Sequence, residues 1–257
     1  MAFMELHGYS AVMNLAVSVN VILPEADQGI GVRAGTGEGL PKVLYLLHGY
    51  SDDHTIWMRR TSVERYAAGK NLAVIMPAVN HSYYINEWMG ERYWDYVSQE
   101  LPQMIGRFFR VSTKPEDTYA AGLSMGGYGA MRLALTYPER FAAAASFSGA
   151  VDIIRPIRNS IKADQEGICR LFAHPDRAAG SEVDLFAMMK KNESAPHKPK
   201  LLIACGKEDF LYDENARFYP ALKAVGWDAD WSEKPDTGHS WSYWDEMIQV
   251  FIRDYIR

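Results

Sequence analysis

Cysteine is nearly absent: the 257 residues hold two, Cys169 and Cys205. Two are too few for a disulfide framework, and Cys205, which ends the apolar run 201–204, reads as a buried reduced thiol. No apolar run approaches the length that crosses a bilayer, so no membrane partner is expected. Basic runs are equally scarce, the longest being the pairs Arg59-Arg60 and Lys190-Lys191. Together with a net charge of -5, that scarcity argues against nucleic acid as a partner. The histidines are scattered, and neither an H-E-x-x-H run nor a Cys-x-x-Cys pair occurs, so no metal is expected. Gly29-Ile30-Gly31-Val32-Arg33-Ala34 superficially fits a dinucleotide fingerprint. Gly35, Gly37, Gly39 and Pro41 would break the helix whose N-terminus must hold the pyrophosphate. Residues 29–41 are therefore read as a hairpin loop, and no cofactor is expected. The first residues, with Glu5 and His7, lack the basic start and apolar core of a signal peptide, and a cytoplasmic location is the expectation.

Against these absences stands a composition that is 48% hydrophobic and 23% charged, enough for a sizeable core under a solvated surface. Residues 3–9 and 14–23 read as an opening strand pair, with Val17, Val19 and Val21 alternating. The continuous apolar runs 43–47 and 72–76 and the small-residue run 142–147 read as strands covered on both faces. Residues 201–205 continue the series, and 228–232 form a short edge strand. Between them lie helical patterns at 62–70, 93–110, 127–137, 215–225 and 241–256. Pro102 should kink or divide the second of these. The alternation predicts an α/β fold: one domain over 1–257, a mainly parallel sheet with helices on both faces. Residues 152–200 interrupt it with four prolines and one helical segment, 181–192, for which Ser181 is the expected N-cap. This insertion is expected to overhang the carboxyl edge of the sheet as a small cap.

Gly122-Leu123-Ser124-Met125-Gly126 is the most informative motif. A short strand precedes it and a helical pattern follows it, so Ser124 sits on a tight turn that pushes its hydroxyl out of the sheet. A serine hydroxyl attacks only when a base takes its proton and a third group orients that base. His239, in the loop before the last helix, is the candidate base. Asp209, on the loop after the strand 201–205, is the candidate acid, with Glu208, Asp213 and Asp152 as rivals. Asp213 looks more like a helix cap. The backbone amides of Tyr50 and Met125 are the expected oxyanion donors. His48 reads as a structural hydrogen bonder. Trp57, Tyr84, Trp88 and Trp241 are candidates for lining the substrate pocket.

Leu46-Leu47-His48-Gly49, the segment Gly122 to Gly129, Ser146-Phe147-Ser148-Gly149, Gly206-Lys207-Glu208-Asp209 and Gly238-His239 with Trp241 together resemble the esterase D family, most of all bacterial tributyrin esterases. The resemblance runs over almost the whole chain and weakens at 29–41 and 152–200. It implies the α/β-hydrolase fold and hydrolysis of short-chain acyl esters without metal or cofactor. It also implies a small-molecule ester as the partner, homodimers or homotetramers, and a triad of Ser124, Asp209 and His239. The S-formylglutathione hydrolase branch has a different segment where this chain reads Leu47-His48-Gly49-Tyr50-Ser51-Asp52, which lowers that reading. Esterases of feruloyl or acetyl groups on plant polysaccharides are a further alternative. An inactive scaffold used for binding is the non-enzymatic one.

Overall fold

The computed structural model describes residues 1–25, 39–162 and 167–257. Most of the glycine-rich connection 29–41, including the fingerprint-like stretch, lies outside the described residues.

Eight strands form one sheet, in the spatial order β1-β2-β4-β3-β5-β6-β7-β8. β1 (Ala2–Ser10) and β2 (Leu15–Leu23) make an antiparallel hairpin, and β2 runs antiparallel to β4 (Leu72–Pro77). From β4 onward the pairing is parallel, through β3 (Lys42–Leu47), β5 (Thr118–Leu123), β6 (Ala143–Phe147), β7 (Lys200–Gly206) and the edge strand β8 (Ala229–Lys234). Every residue of β4 and β6 is buried, as parallel strands covered on both faces require.

The helices are α1 (Ile56–Arg60), α2 (Val63–Ala67), α3 (Tyr93–Asp95), α4 (Leu101–Phe108), α5 (Met125–Thr136), α6 (Ile154–Lys162), α7 (Leu185–Lys191), α8 (Tyr212–Ala224) and α9 (Trp241–Asp254). The two-residue period of the strands divides the core in two. Val43, Tyr45 and Leu47 face a cluster holding Met104 of α4, Leu133 of α5, Met189 of α7 and Phe218 of α8. Leu44 and Leu46 face the other cluster, with Trp57 of α1, Val63 of α2 and Phe251 of α9. Among the described residues no helix is long and apolar enough to cross a membrane.

Pro102 divides the expected helix, and the structure shows how. A π-helical turn, Tyr96–Glu100, separates α3 from α4, and Pro102 sits in the first turn of α4. A proline has no N–H to give to the preceding turn, so the regular ladder is broken there. The expectation for the insertion helix is corrected: α7 starts at Leu185, and its N-cap is Asp184, not Ser181. The Asp184 carboxylate accepts from the amides of Phe186 (3.0 Å) and Ala187 (3.3 Å), while the Ser181 hydroxyl donates to the Ala178 carbonyl. The segment carrying α6 and α7 is fastened to α5: Tyr128 Oη donates to the Val183 carbonyl (2.8 Å) and Asn192 Nδ2 to that of Leu135 (2.6 Å).

Candidate active site

Ser124 occupies the turn between β5 and α5 with φ 52° and ψ -118°. An L-residue holds such a conformation at a cost of about 1–3 kcal/mol, and the surroundings must enforce it. They do so through the backbone. The Ser124 amide donates to the Phe147 carbonyl (2.9 Å), and its carbonyl accepts from the amides of Tyr128 (3.1 Å) and Ala150 (3.0 Å). Glycine is required beside it, because a Cβ at Gly126 would run into the Leu47 carbonyl. Every residue from Met125 to Leu135 is buried, so α5 is driven down onto the sheet and the serine is left at its carboxyl edge.

Asp209 lies on the loop after β7, its side chain fully buried. Its Oδ1 accepts from the Leu211 amide (2.9 Å), and its Oδ2 lies 2.9 Å from His239 Nδ1. Burial opposes ionisation of this carboxyl. The hydrogen bonds from His239, the Leu211 amide and Ser148 outweigh it and hold the group below its ordinary range. A carboxylate only accepts, so His239 Nδ1 carries the proton and donates, which leaves Nε2 as the lone-pair nitrogen of the neutral ring. Glu208 and Asp213 are exposed, and Asp213 stands in the first turn of α8 rather than capping it. Asp152 is engaged with Arg217 (3.0 Å). Phe210 (4.6 Å) and Trp244 (4.7 Å, edge-on) pack against the His239 ring.

Ser124 and His239 form no hydrogen bond with each other within the described residues; Ser148 links their surroundings indirectly. The residue before Ser148 holds the Ser124 amide. Ser148 itself is buried, at φ 47°, and its Oγ accepts from Trp244 Nε1 (3.1 Å) while also meeting the Asp209 carboxyl. No motif in the sequence gives Ser148 this role. Its signal was a polar residue between Phe147 and Gly149 at a buried strand end. Cys205 is fully buried nearby, and burial, reinforced by the Asp209 charge, pushes its thiol up to about 12.

The loop after β3 passes close to the serine, since a Cβ added at Gly49 would stand 3.7 Å from Ser124 Cβ. His48 anchors that loop. It is buried, donates from Nδ1 to the Gly49 carbonyl (2.8 Å) and accepts at Nε2 from the Val79 amide (3.0 Å). Burial pushes it down to about 4, so it is neutral at ordinary pH. Within the described residues the Tyr50 and Met125 amides donate to no acceptor. The Tyr50 ring is half-exposed and stacked 4.3 Å from His81.

Two pocket expectations are corrected. Trp57 and Tyr84 are fully buried, and both serve the loop instead of a ligand. Trp57 Nε1 donates to the Leu47 carbonyl (3.0 Å) and Tyr84 Oη to that of His48 (3.0 Å). Buried carbonyls at the end of β3 need donors, and these aromatics supply them. Trp88 is 62% exposed, with its amide bonded to the Leu171 carbonyl. Trp241 is partly exposed and packs edge-on against Trp57 (5.2 Å) and Trp244 (5.1 Å). Glu214, unnoticed in the sequence, is buried beside the site. Its Oε1 accepts from the Asp152 amide (3.3 Å), and burial pushes it up to about 7.

A strained serine between strand and helix, with a histidine and a buried carboxylate paired on later loops of a mainly parallel sheet, defines a serine hydrolase of the α/β-hydrolase class, and this one is a carboxylic ester hydrolase. Residues 10–254 match the Esterase family, and the chain belongs to it. It is similar to an acetyl esterase of Caldicellulosiruptor saccharolyticus, 30% identical over an alignment of 256 residues that covers 96% of each chain. Two solved structures from Staphylococcus aureus resemble it closely. FphF, a fluorophosphonate-binding serine hydrolase with substrate bound, matches with a TM-score of 0.85 and 35% identity over 100% of this chain and 98% of that one. The apoenzyme of an S-formylglutathione hydrolase (FrmB) gives 0.84 and 34%, over 100% and 99%.

Proposed function

We propose that this esterase hydrolyses short-chain acyl esters, of acetyl or butyryl type, with Ser124 as nucleophile, His239 as base and Asp209 as its orienting acid. The observation that carries the reading is the 2.9 Å pairing of His239 Nδ1 with buried Asp209, on loops that leave the same carboxyl edge of the parallel strands as the Ser124 turn. Ser124 Oγ attacks the ester carbonyl as His239 Nε2 takes its proton. The carbonyl oxygen gains charge and accepts from the amides of Tyr50 and Met125. Collapse expels the alcohol, which leaves with the proton from His239. Water, deprotonated by the same nitrogen, then releases the acid and restores the serine.

The similarity to an acetyl esterase favours small acyl groups, in keeping with the esterase D and tributyrin esterase likeness of the motifs. In this reading the chain is one domain and residues 152–200 form a small cap, with Trp88 and Trp241 at its rim. Ser124→Ala should lower hydrolysis of p-nitrophenyl acetate and butyrate by about a million-fold and abolish labelling by a fluorophosphonate. Turnover near the original rate would sink the assignment. The similarity to FrmB supports a second reading, thioester hydrolysis of S-formylglutathione. Comparing kcat/KM for that thioester with kcat/KM for a butyryl ester separates the two.

A further inference from the structure

A chain of net charge -5 gathers cations in one place beside this site. A groove of about 650 Å³ between α6 and α8 is lined by Arg155, Arg158, Lys162 and Arg217 against Asp152 and Asp213. Arg217 is paired with Asp152 at 3.0 Å. Arg155, Arg158 and Lys162 make no ion pair within the described residues. Their spacing of three and four residues puts them on one helical face, where like charges repel. A helix shaped for stability alone would interleave acids there; this one presents its positive face to a groove.

The groove is tied to the serine turn through the backbone. The Ala150 amide donates to the Ser124 carbonyl (3.0 Å), and Asp152, a wall of the groove, follows two residues later. Two extended residues span at most about 7 Å. Buried Glu214 holds the Asp152 amide and so fixes the wall from the α8 side.

We infer that this groove is a subsite for the anionic end of an ester substrate, a carboxylate or phosphate held by Arg155 and Arg158 while the scissile carbonyl lies at Ser124. The planar guanidinium forks suit both anions. The inference rests on the serine reading above and gives that reading a substrate class: esters carrying a negative charge a short spacer from the reacting carbon.

The test uses matched pairs. On the acyl side, the p-nitrophenyl monoester of adipic acid is compared with its methyl-capped neutral analogue. On the alcohol side, phenyl butyrates bearing a carboxymethyl or phosphate group are compared with their methyl esters. The expected result is an anion-to-neutral ratio of kcat/KM of about ten at low salt on one of the two sides, falling as ionic strength rises. The carboxylate and phosphate arms show which anion is preferred. In the double variant Arg155→Gln/Arg158→Gln that ratio should fall to about one. The equal charge change Lys190→Gln/Lys191→Gln, on exposed positions of α7, should leave the ratio as it is. A wild-type ratio near one on both sides, or a ratio the double variant does not change, overturns the subsite. Neither result touches the serine assignment, which fails only if Ser124→Ala retains activity toward the neutral esters.

Discussion

Glu214 carries a pH signature that a single substitution can isolate. Burial pushes its carboxyl from the ordinary 4.5 up to about 7; the hydrogen bond from the Asp152 amide opposes the rise, the Asp152 charge adds to it, and Arg217 and Arg155 oppose it. The native state therefore binds this proton more tightly than the unfolded chain does. The stability contribution is complete below about 4.5 and is lost as pH rises through about 7, a loss on the order of 3 kcal/mol at most. Glu214→Gln keeps an acceptor for the Asp152 amide and does not titrate. Relative to wild type it should gain stability between pH 5 and pH 8, read from denaturant midpoints; a constant difference would show that Glu214 is ionised throughout. The serine turn was legible in the sequence because its glycines are local. Asp209 was legible only as one of several acids, since the choice depends on which carboxylate meets a ring 30 residues away. Ser148 was legible only as a polar residue at a buried strand end, and its role was not, because its partner Trp244 lies 96 residues on. Trp57 and Tyr84 were misread for a related reason: an indole or phenol looks the same in sequence whether its polar tip faces a ligand or a buried carbonyl.

At the level of elements, α7 is held by an end it shares with little else. Asp184 caps two of its amides, and the helix is short, so propensity alone does not sustain it. Asp184→Ala should destabilise the protein by about 1 kcal/mol and speed proteolysis within residues 167–200, measured by limited digestion. Unchanged midpoints and cleavage would mean that packing against α5 is sufficient. The sequence placed this helix but began it four residues early, because Ser181 and Asp184 are both acceptable caps and only the tertiary path of the chain chooses between them. The π-helical turn at Tyr96–Glu100 is similar. Pro102 announces an interruption, and the way the backbone resolves it depends on what α3 and α4 pack against.

Across the whole molecule the sheet acts as a partition. Leu133 belongs to the core on one face and Phe251 to the core on the other. Leu133→Ala should cost about 2–5 kcal/mol and Phe251→Ala about 3–5 kcal/mol. Because they belong to separate core clusters, the double variant should equal their sum within about 0.5 kcal/mol. A larger coupling energy would mean that strain crosses the sheet. The fold class was legible as a whole because buried parallel strands are continuous apolar runs. The strand order was not, since the insertion of β3 between β4 and β5 is fixed by long-range pairing that no local pattern encodes. Cys205 supplies a monitor for this architecture. The thiolate is the nucleophile that displaces iodide from iodoacetamide, so a fully enclosed thiol pushed up to about 12 is silent toward it in the native protein. Pulses of iodoacetamide during gradual denaturation would therefore date the moment at which β7 opens, along with the loop it carries, independently of any loss of turnover.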